Sequence, residues 1–267
     1  MNKKTRAPSL IIMAVWLISL GCATTNVHVD TATVGELRDE SQTVELGDAE
    51  QVRATLKMGA GELNIESGAE ALVEANFTYD VAEWKPAVTY EVAAGTGRLT
   101  IRQPNTEQIA MRDVRYKWRL AFNEEVPLNM RIEAGAGTGN LNLGELNVTQ
   151  LDIQLGAGDY TIDLNGNQSL QHLECDMGAG NVTLDLNGAW KENVNVDLQS
   201  GIGQTVLRLP PDIGVHVTID RALGDVNANG LIRQGNAYVN ETYGKSDVTL
   251  EIYIQAGVGQ INLEVAD

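Results

Sequence analysis

Residues 151–166, Leu-Asp-Ile-Gln-Leu-Gly-Ala-Gly-Asp-Tyr-Thr-Ile-Asp-Leu-Asn-Gly, return little changed as residues 173–188, Leu-Glu-Cys-Asp-Met-Gly-Ala-Gly-Asn-Val-Thr-Leu-Asp-Leu-Asn-Gly. In the first copy Leu151, Ile153 and Leu155 alternate with Asp152 and Gln154 before the glycines. Tyr160, Ile162 and Leu164 alternate with polar residues after them. Strand side chains point alternately to opposite faces, so this period of two marks strands with one buried face; a helix would repeat near 3.6. The closing Asn-Gly is a turn signal. Each copy therefore reads as strand, glycine corner, strand, turn.

The same unit extends in both directions. Gly-Ala-Gly or a near relative begins at residues 59, 135, 156, 178, 201, 222 and 257, with steps of 21, 22, 23 and 21 from residue 135 to 222. The last step, 35, implies an insertion. The glycines concerned are Gly59, Gly61, Gly135, Gly137, Gly156, Gly158, Gly178, Gly180, Gly201, Gly203, Gly257 and Gly259; Ala222-Leu223-Gly224 is the variant corner. A sharp bend needs a positive φ or a close backbone approach, and glycine has no Cβ to obstruct either. One rung buries too few apolar side chains to offset the entropy of ordering its backbone, so the rungs must stack and share a core. The expected fold is all-β: a β-solenoid of stacked strand–glycine corner–strand rungs of about 22 residues over 126–267. The alternative is an antiparallel β-sandwich, which also suits regular strands separated by turns.

Residues 46–125 read as an N-terminal β unit. Val52, Ala54, Leu56 and Met58 alternate into the first corner. Val73–Tyr79 alternates, Val88–Ile101 reads as a hairpin turning at Gly95-Thr96-Gly97, and Val114, Tyr116, Trp118 and Leu120 share a strand face. Residues 22–45 are polar without strong periodicity and are expected to be a tether.

Residues 1–21 have a basic start (Lys3, Lys4, Arg6) and an apolar run from Leu10 to Leu20. That run is short for a bilayer span but suits a signal peptide. Ser19-Leu20-Gly21-Cys22 resembles the lipobox of bacterial lipoproteins, although leucine stands one place late. The resemblance implies lipidation of Cys22, an extracytoplasmic body anchored to the membrane, and the outer membrane where the host has two, since Ala23 rather than Asp follows. The formal charge of −17 falls to −20 without Lys3, Lys4 and Arg6. Such a body repels nucleic acid, which is not an expected partner. Cys175, alternating with Glu174 and Asp176, reads as a small core hydrophobe.

Val44-Glu45-Leu46-Gly47-Asp48-Ala49-Glu50-Gln51-Val52, followed by Met58-Gly59-Ala60-Gly61-Glu62-Leu63-Asn64-Ile65, resembles the opening of the toast-rack domain family. Trp118, Pro127-Leu128 and the recurring corners through Gly257-Val258-Gly259 continue the resemblance over most of 44–267. It is related to LiaF-type regulators and to candidate adhesins. The resemblance implies a β-solenoid in the cell envelope, often linked to sensing envelope stress, with no catalytic residues and no cofactor. The chain differs from LiaF-type proteins in carrying a lipoprotein-like signal in place of transmembrane helices.

Motifs for chemistry are sparse. The Gly-x-Gly corners lack the helix that a dinucleotide fingerprint requires, and Gly-x-Ser-x-Gly is absent. His28, His172 and His216 lack ligand spacing. Asp152, Glu174 and Asp197 fall at equal offsets from their corners, as do Asp163, Asp185 and Arg208, so they are expected to form outward columns. A solvated acidic face with a salt link from Arg208 is preferred to a calcium site, and no metal is expected. Arg112, Arg115, Lys117 and Arg119 form a candidate patch for an anionic partner, weighed against ordinary pairing with nearby carboxylates.

The expected function is a non-enzymatic, lipid-anchored interaction module of the envelope with an envelope protein as partner, serving stress sensing. The alternatives are a surface adhesin and an enzyme acting on envelope carbohydrate. The enzyme reading requires a concave acidic cleft with aromatic walls, and an aromatic content of 5% weighs against it. Open solenoid ends can pair, and the oligomeric state is left open.

Overall fold

The computed structural model describes residues 34–104 and 114–266. The signal segment, Cys22, His28 and Arg112 lie outside the described residues. The strands are β1 (Arg38–Val44), β2 (Gln51–Ser67), β3 (Val73–Tyr79), β4 (Ala87–Ala93), β5 (Thr96–Arg102), β6 (Tyr116–Phe122) and β7 (Leu128–Asn142). They continue as β8 (Val148–Asp163), β9 (His172–Asp185), β10 (Val194–Leu209), β11 (Gly214–Asn229), β12 (Ile232–Gln234), β13 (Ala237–Val239) and β14 (Thr249–Val265). All belong to one sheet.

Seven long strands are the rungs, and each bends at its glycine corner into two arms. In β8 the side chains of Leu151, Ile153 and Leu155 on the first arm and of Tyr160 and Ile162 on the second are buried. Apolar alternation on both sides of the corner thus places two half-faces against a common core. The rungs lie in the order β2-β7-β8-β9-β10-β14-β11, every neighbour parallel. Parallel stacking decides for the solenoid over the sandwich. The corners stay in register: Ala60, Ala136, Ala157, Ala179, Ile202, Val258 and Leu223 form one row.

Close stacking explains the glycines. A Cβ on Gly135 would lie 2.2 Å from the Gly59 carbonyl oxygen. At Gly158 a Cβ would lie 1.7 Å from the Gly137 oxygen, and its φ is +144° as well. The second glycine of that corner therefore answers both to the bend and to the rung beneath.

The 35-residue final step is not a simple insertion between consecutive rungs. The chain passes to the far end as β11, doubles back through β12 and β13, and places β14 between β10 and β11. The reason lies in composition. β14 supplies Leu250, Ile252, Ile254, Ile261 and Leu263, all buried, and takes the interior place. The second arm of β11 offers only Val226 and Ala228, set among Asp225, Asn227 and Asn229, and stands at the end.

At the other end, β5 pairs with the first arm of β2 and β6 with its second arm, both in parallel. β3 and then β1 add antiparallel strands beyond β6. Trp118 packs edge-on against Phe77 at 5.6 Å, and Trp84 against Tyr116 at 5.4 Å. Two local expectations need correction. Part of the proposed tether, Arg38–Val44, is an edge strand whose inner side includes Glu40 and Gln42, so its alternation carries little hydrophobic signal. The β4–β5 hairpin turns at Ala94-Gly95, with φ of 50° and 72°. Gly97 instead lies within β5, where a Cβ would meet the Tyr90 hydroxyl at 2.5 Å.

Candidate interaction surfaces

The residue two places before each corner glycine projects from the first arm. Parallel register aligns Lys57, Glu133, Gln154, Asp176, Gln199 and Gln255 in one rail across six rungs. Beside it, Met58, Leu155 and Met177 contribute to the floor of a groove of about 960 Å³ that ends at Gln103. The rail is amide-rich, and among the described residues none that lines the groove is aromatic. Lys57 holds Glu133 at 3.0 Å, and Arg131 holds it at 2.8 Å. These cations keep the Glu133 carboxyl below the usual range against the opposing effect of burial. Asp176 is the carboxylate in the rail without such a partner among the described residues, and burial followed by the nearby Asp152 charge pushes its carboxyl upward. The carbohydrate-enzyme reading asked for an acidic cleft with aromatic walls; this groove carries chiefly amides beside Glu133 and Asp176, and no aromatic side chain lines it among the described residues.

The outward columns form as the spacing predicts. Arg131, Asp152, Glu174 and Asp197 stand in line, with Arg131 bonded to Asp152 at 2.8 Å. Asp163, Asp185 and Arg208 stand in line on the second arm, and Arg208 reaches Asp185 at 3.4 Å.

Arg115, Lys117 and Arg119 lie at and along β6, interleaved with buried Tyr116 and Trp118. Lys117 is drawn into an ion pair with Glu62 on β2 at 2.6 Å. That hydrogen bond is the chief reason the Glu62 carboxyl sits below the usual range. Arg119 lies beside the pair, opposite Asn64 and Asn76, and is exposed. The backbone amide of Arg115 donates to Asp80. The positive strip is thus partly neutralised by its own sheet.

The remaining singled-out residues are dispersed. His172 is exposed at the start of β9. His216 on β11 stands 2.8 Å from Glu251 and stacks on Tyr243 at a centroid distance of 5.1 Å. Cys175 is buried in the core, where desolvation pushes its thiol up to about 12. The groove rail was missed from sequence although its signal was available. Gln154, Asp176, Gln199 and Gln255 share one offset from their glycines, but mixed amide and acid identities hid the column.

The chain matches the model for the N-terminal domain of toast_rack, DUF2154, over residues 33–171 and 167–208. The chain belongs to the toast-rack family. A solved structure of a candidate cell adhesion protein from Clostridium sporogenes is 33% identical and superposes with a TM-score of 0.68, covering 86% of this chain and 100% of that one. A candidate adhesin from Bacteroides fragilis is 10% identical with a TM-score of 0.32, covering 85% of this chain and 97% of that one. At that distance it adds nothing to the reading of this chain. No functionally curated protein matches the sequence. No helix among the described residues of this toast-rack chain is long and apolar enough to cross a membrane.

Proposed function

We propose that this toast-rack chain is a non-enzymatic interaction module anchored through lipidated Cys22 on the outside of the bacterial membrane, with an adhesin-like role. The observation that carries the reading is the similarity to the clostridial candidate cell adhesion protein over that chain's whole length. The surface supports it. Repeated rungs set rows of outward side chains about 4.8 Å apart, a spacing suited to recognising an extended partner. The groove rail is chiefly amides and ion-paired groups rather than converging acid and base. Cys22 lies ahead of the body in sequence, and the basic and apolar run before it supports export and anchoring.

The test compares attachment to other cells and to matrix in the wild type, a deletion strain and a Cys22→Ala strain. Attachment lost in the deletion and reduced in the anchor variant is the expected result. Attachment unchanged in both strains would remove the adhesive reading. The same strains exposed to wall-targeting antibiotics test the stress-sensing role that the family resemblance supports. An unchanged transcriptional response would remove that role.

A further inference from the structure

The two ends of the solenoid are finished differently. At the β2 end both arms are covered, the first by β5 and the second by β6. At the β11 end, β13 covers only His216–Thr218. From Ile219 to Asn229 no strand lies on the outer side of β11 among the described residues. The inner side chains there, Ile219, Val226 and Ala228, are half-buried. Their neighbours in β14, Ile254, Ile261 and Leu263, are sealed. An end rung with open hydrogen-bonding groups and a half-exposed inner face is a template for another strand.

The corner row changes character at the same end. Ala60, Ala136, Ala157 and Ala179 give way to Ile202, Val258 and Leu223 on the last three rungs. These are 64%, 46% and 68% exposed. Large aliphatic side chains on a corner exposed to water add nothing to the solenoid's own core. They do extend the apolar area around the open rung.

We infer that the free edge of β11 pairs antiparallel with the same edge of a second copy, forming a two-fold, end-to-end dimer. A two-fold axis along the bisector of the bent rung exchanges its arms, so each first arm meets its partner's second arm. The pairing that keeps inner faces together sets Ile219 opposite Ala228 and Arg221 opposite Val226, with Leu223 and Gly224 at the axis. It spans the edge from where β13 stops to Ala228. Asp220 then faces Asn227 and Ala222 faces Asp225, so no carboxylate opposes another. Sliding to set Ile219 opposite Val226 would bring Asp220 against Asp225, which like charge disfavours. Self-complementarity in face, length and charge selects a second copy as the occupant. The outer edge of β1, by contrast, carries Arg38, Asp39 and Glu40, charges that discourage pairing.

The test uses the full chain with Cys22→Ala, measured by sedimentation over a range of concentration. A dimer is expected, and salt should strengthen it by screening the acidic bodies from one another. Leu223→Asp, at an exposed site, is expected to weaken it by about tenfold or more. In the same background Leu223→Cys is expected to form a covalent dimer under mild oxidation, while Ala157→Cys at a mid-solenoid corner does not. Monomer at every concentration, a dimer indifferent to Leu223→Asp, or equal crosslinking at both corners would each overturn the inference.

Discussion

The side-chain oxygen of Gln103 accepts hydrogen bonds from two consecutive corner amides of the first rung, Gly59 N at 2.8 Å and Ala60 N at 3.3 Å. β5 pairs with β2 only as far as Lys57, and β6 resumes the pairing at Glu62. The corner is therefore left between two strand ends. Gln103 follows β5 directly and fills that gap with an acceptor. Replacing it with alanine leaves the buried Ala60 amide and the part-buried Gly59 amide unsatisfied and is expected to cost about 1–3 kcal/mol. Urea unfolding of Gln103→Ala beside the wild type measures this, and an unchanged midpoint would show that the corner amides find another acceptor.

The second glycine of a corner should be the least replaceable. Gly158→Ala imposes an unfavourable φ and a Cβ 1.7 Å from the Gly137 oxygen, so two rungs must separate or the bend must change. Gly235 has a φ of +66° but nothing within 4 Å of a Cβ. Gly235→Ala is expected to cost about 1 kcal/mol. Gly158→Ala is expected to exceed about 4 kcal/mol, the range reserved for severe backbone or core faults. Thermal unfolding of the two variants separates open strain from stacking, and equal losses would mean that φ alone governs the corner.

The rungs were readable because two independent periods coincide: alternation within Leu151–Leu155 and recurrence of the corner after Ala157 at Ala179. Family membership was legible elsewhere, in residues 44–52 and 58–65, with the recurring corners continuing the resemblance. Rung order was not readable, since the corners of β11 (Ala222-Leu223-Gly224) and β14 (Gly257-Val258-Gly259) mark each as a rung without saying which lies inside. Only their relative apolar content, Ile261 and Leu263 against Val226 and Ala228, separates interior from end. The Arg38–Val44 strand escaped notice because an edge can bury polar side chains part-way. Among site residues, the salt link of Arg208 to Asp185 was legible from equal offsets. The pairing of Lys117 with Glu62 was not, because it depends on which strand lies beside β6.

Cys175 should behave as part of the core rather than as a thiol. Burial removes access and pushes its thiol up to about 12, so little thiolate exists near neutral pH. In the full chain carrying Cys22→Ala, a thiol reagent at about pH 8 is expected to find no reactive cysteine before unfolding and one after it, where the unperturbed thiol is substantially ionised. Rapid labelling of the folded chain would show that β9 opens locally on the time scale of the reaction.

Asp176 and Glu62 should respond to acid with opposite sign. One Asp176 oxygen is sealed without a hydrogen-bond partner, and desolvation together with Asp152 raises its carboxyl in the fold. The folded chain therefore disfavours the charged form, a penalty present above the folded pKa and relieved as pH falls through it. Asp176→Asn is expected to stabilise the chain by about 0.5 kcal/mol near neutral pH, with the difference from wild type shrinking in acid. Glu62 is lowered by Lys117, so its contribution is present above the unfolded carboxylate range and lost as pH falls through the folded pKa. Glu62→Gln should consequently cost at most about 1 kcal/mol near neutral pH, as exposed pairs do, and nothing in strong acid. Unfolding midpoints of both variants across the acid range give the two curves. A stabilisation by Asp176→Asn that did not vary with pH would mean that shape or hydrogen bonding, rather than the buried charge, sets its effect.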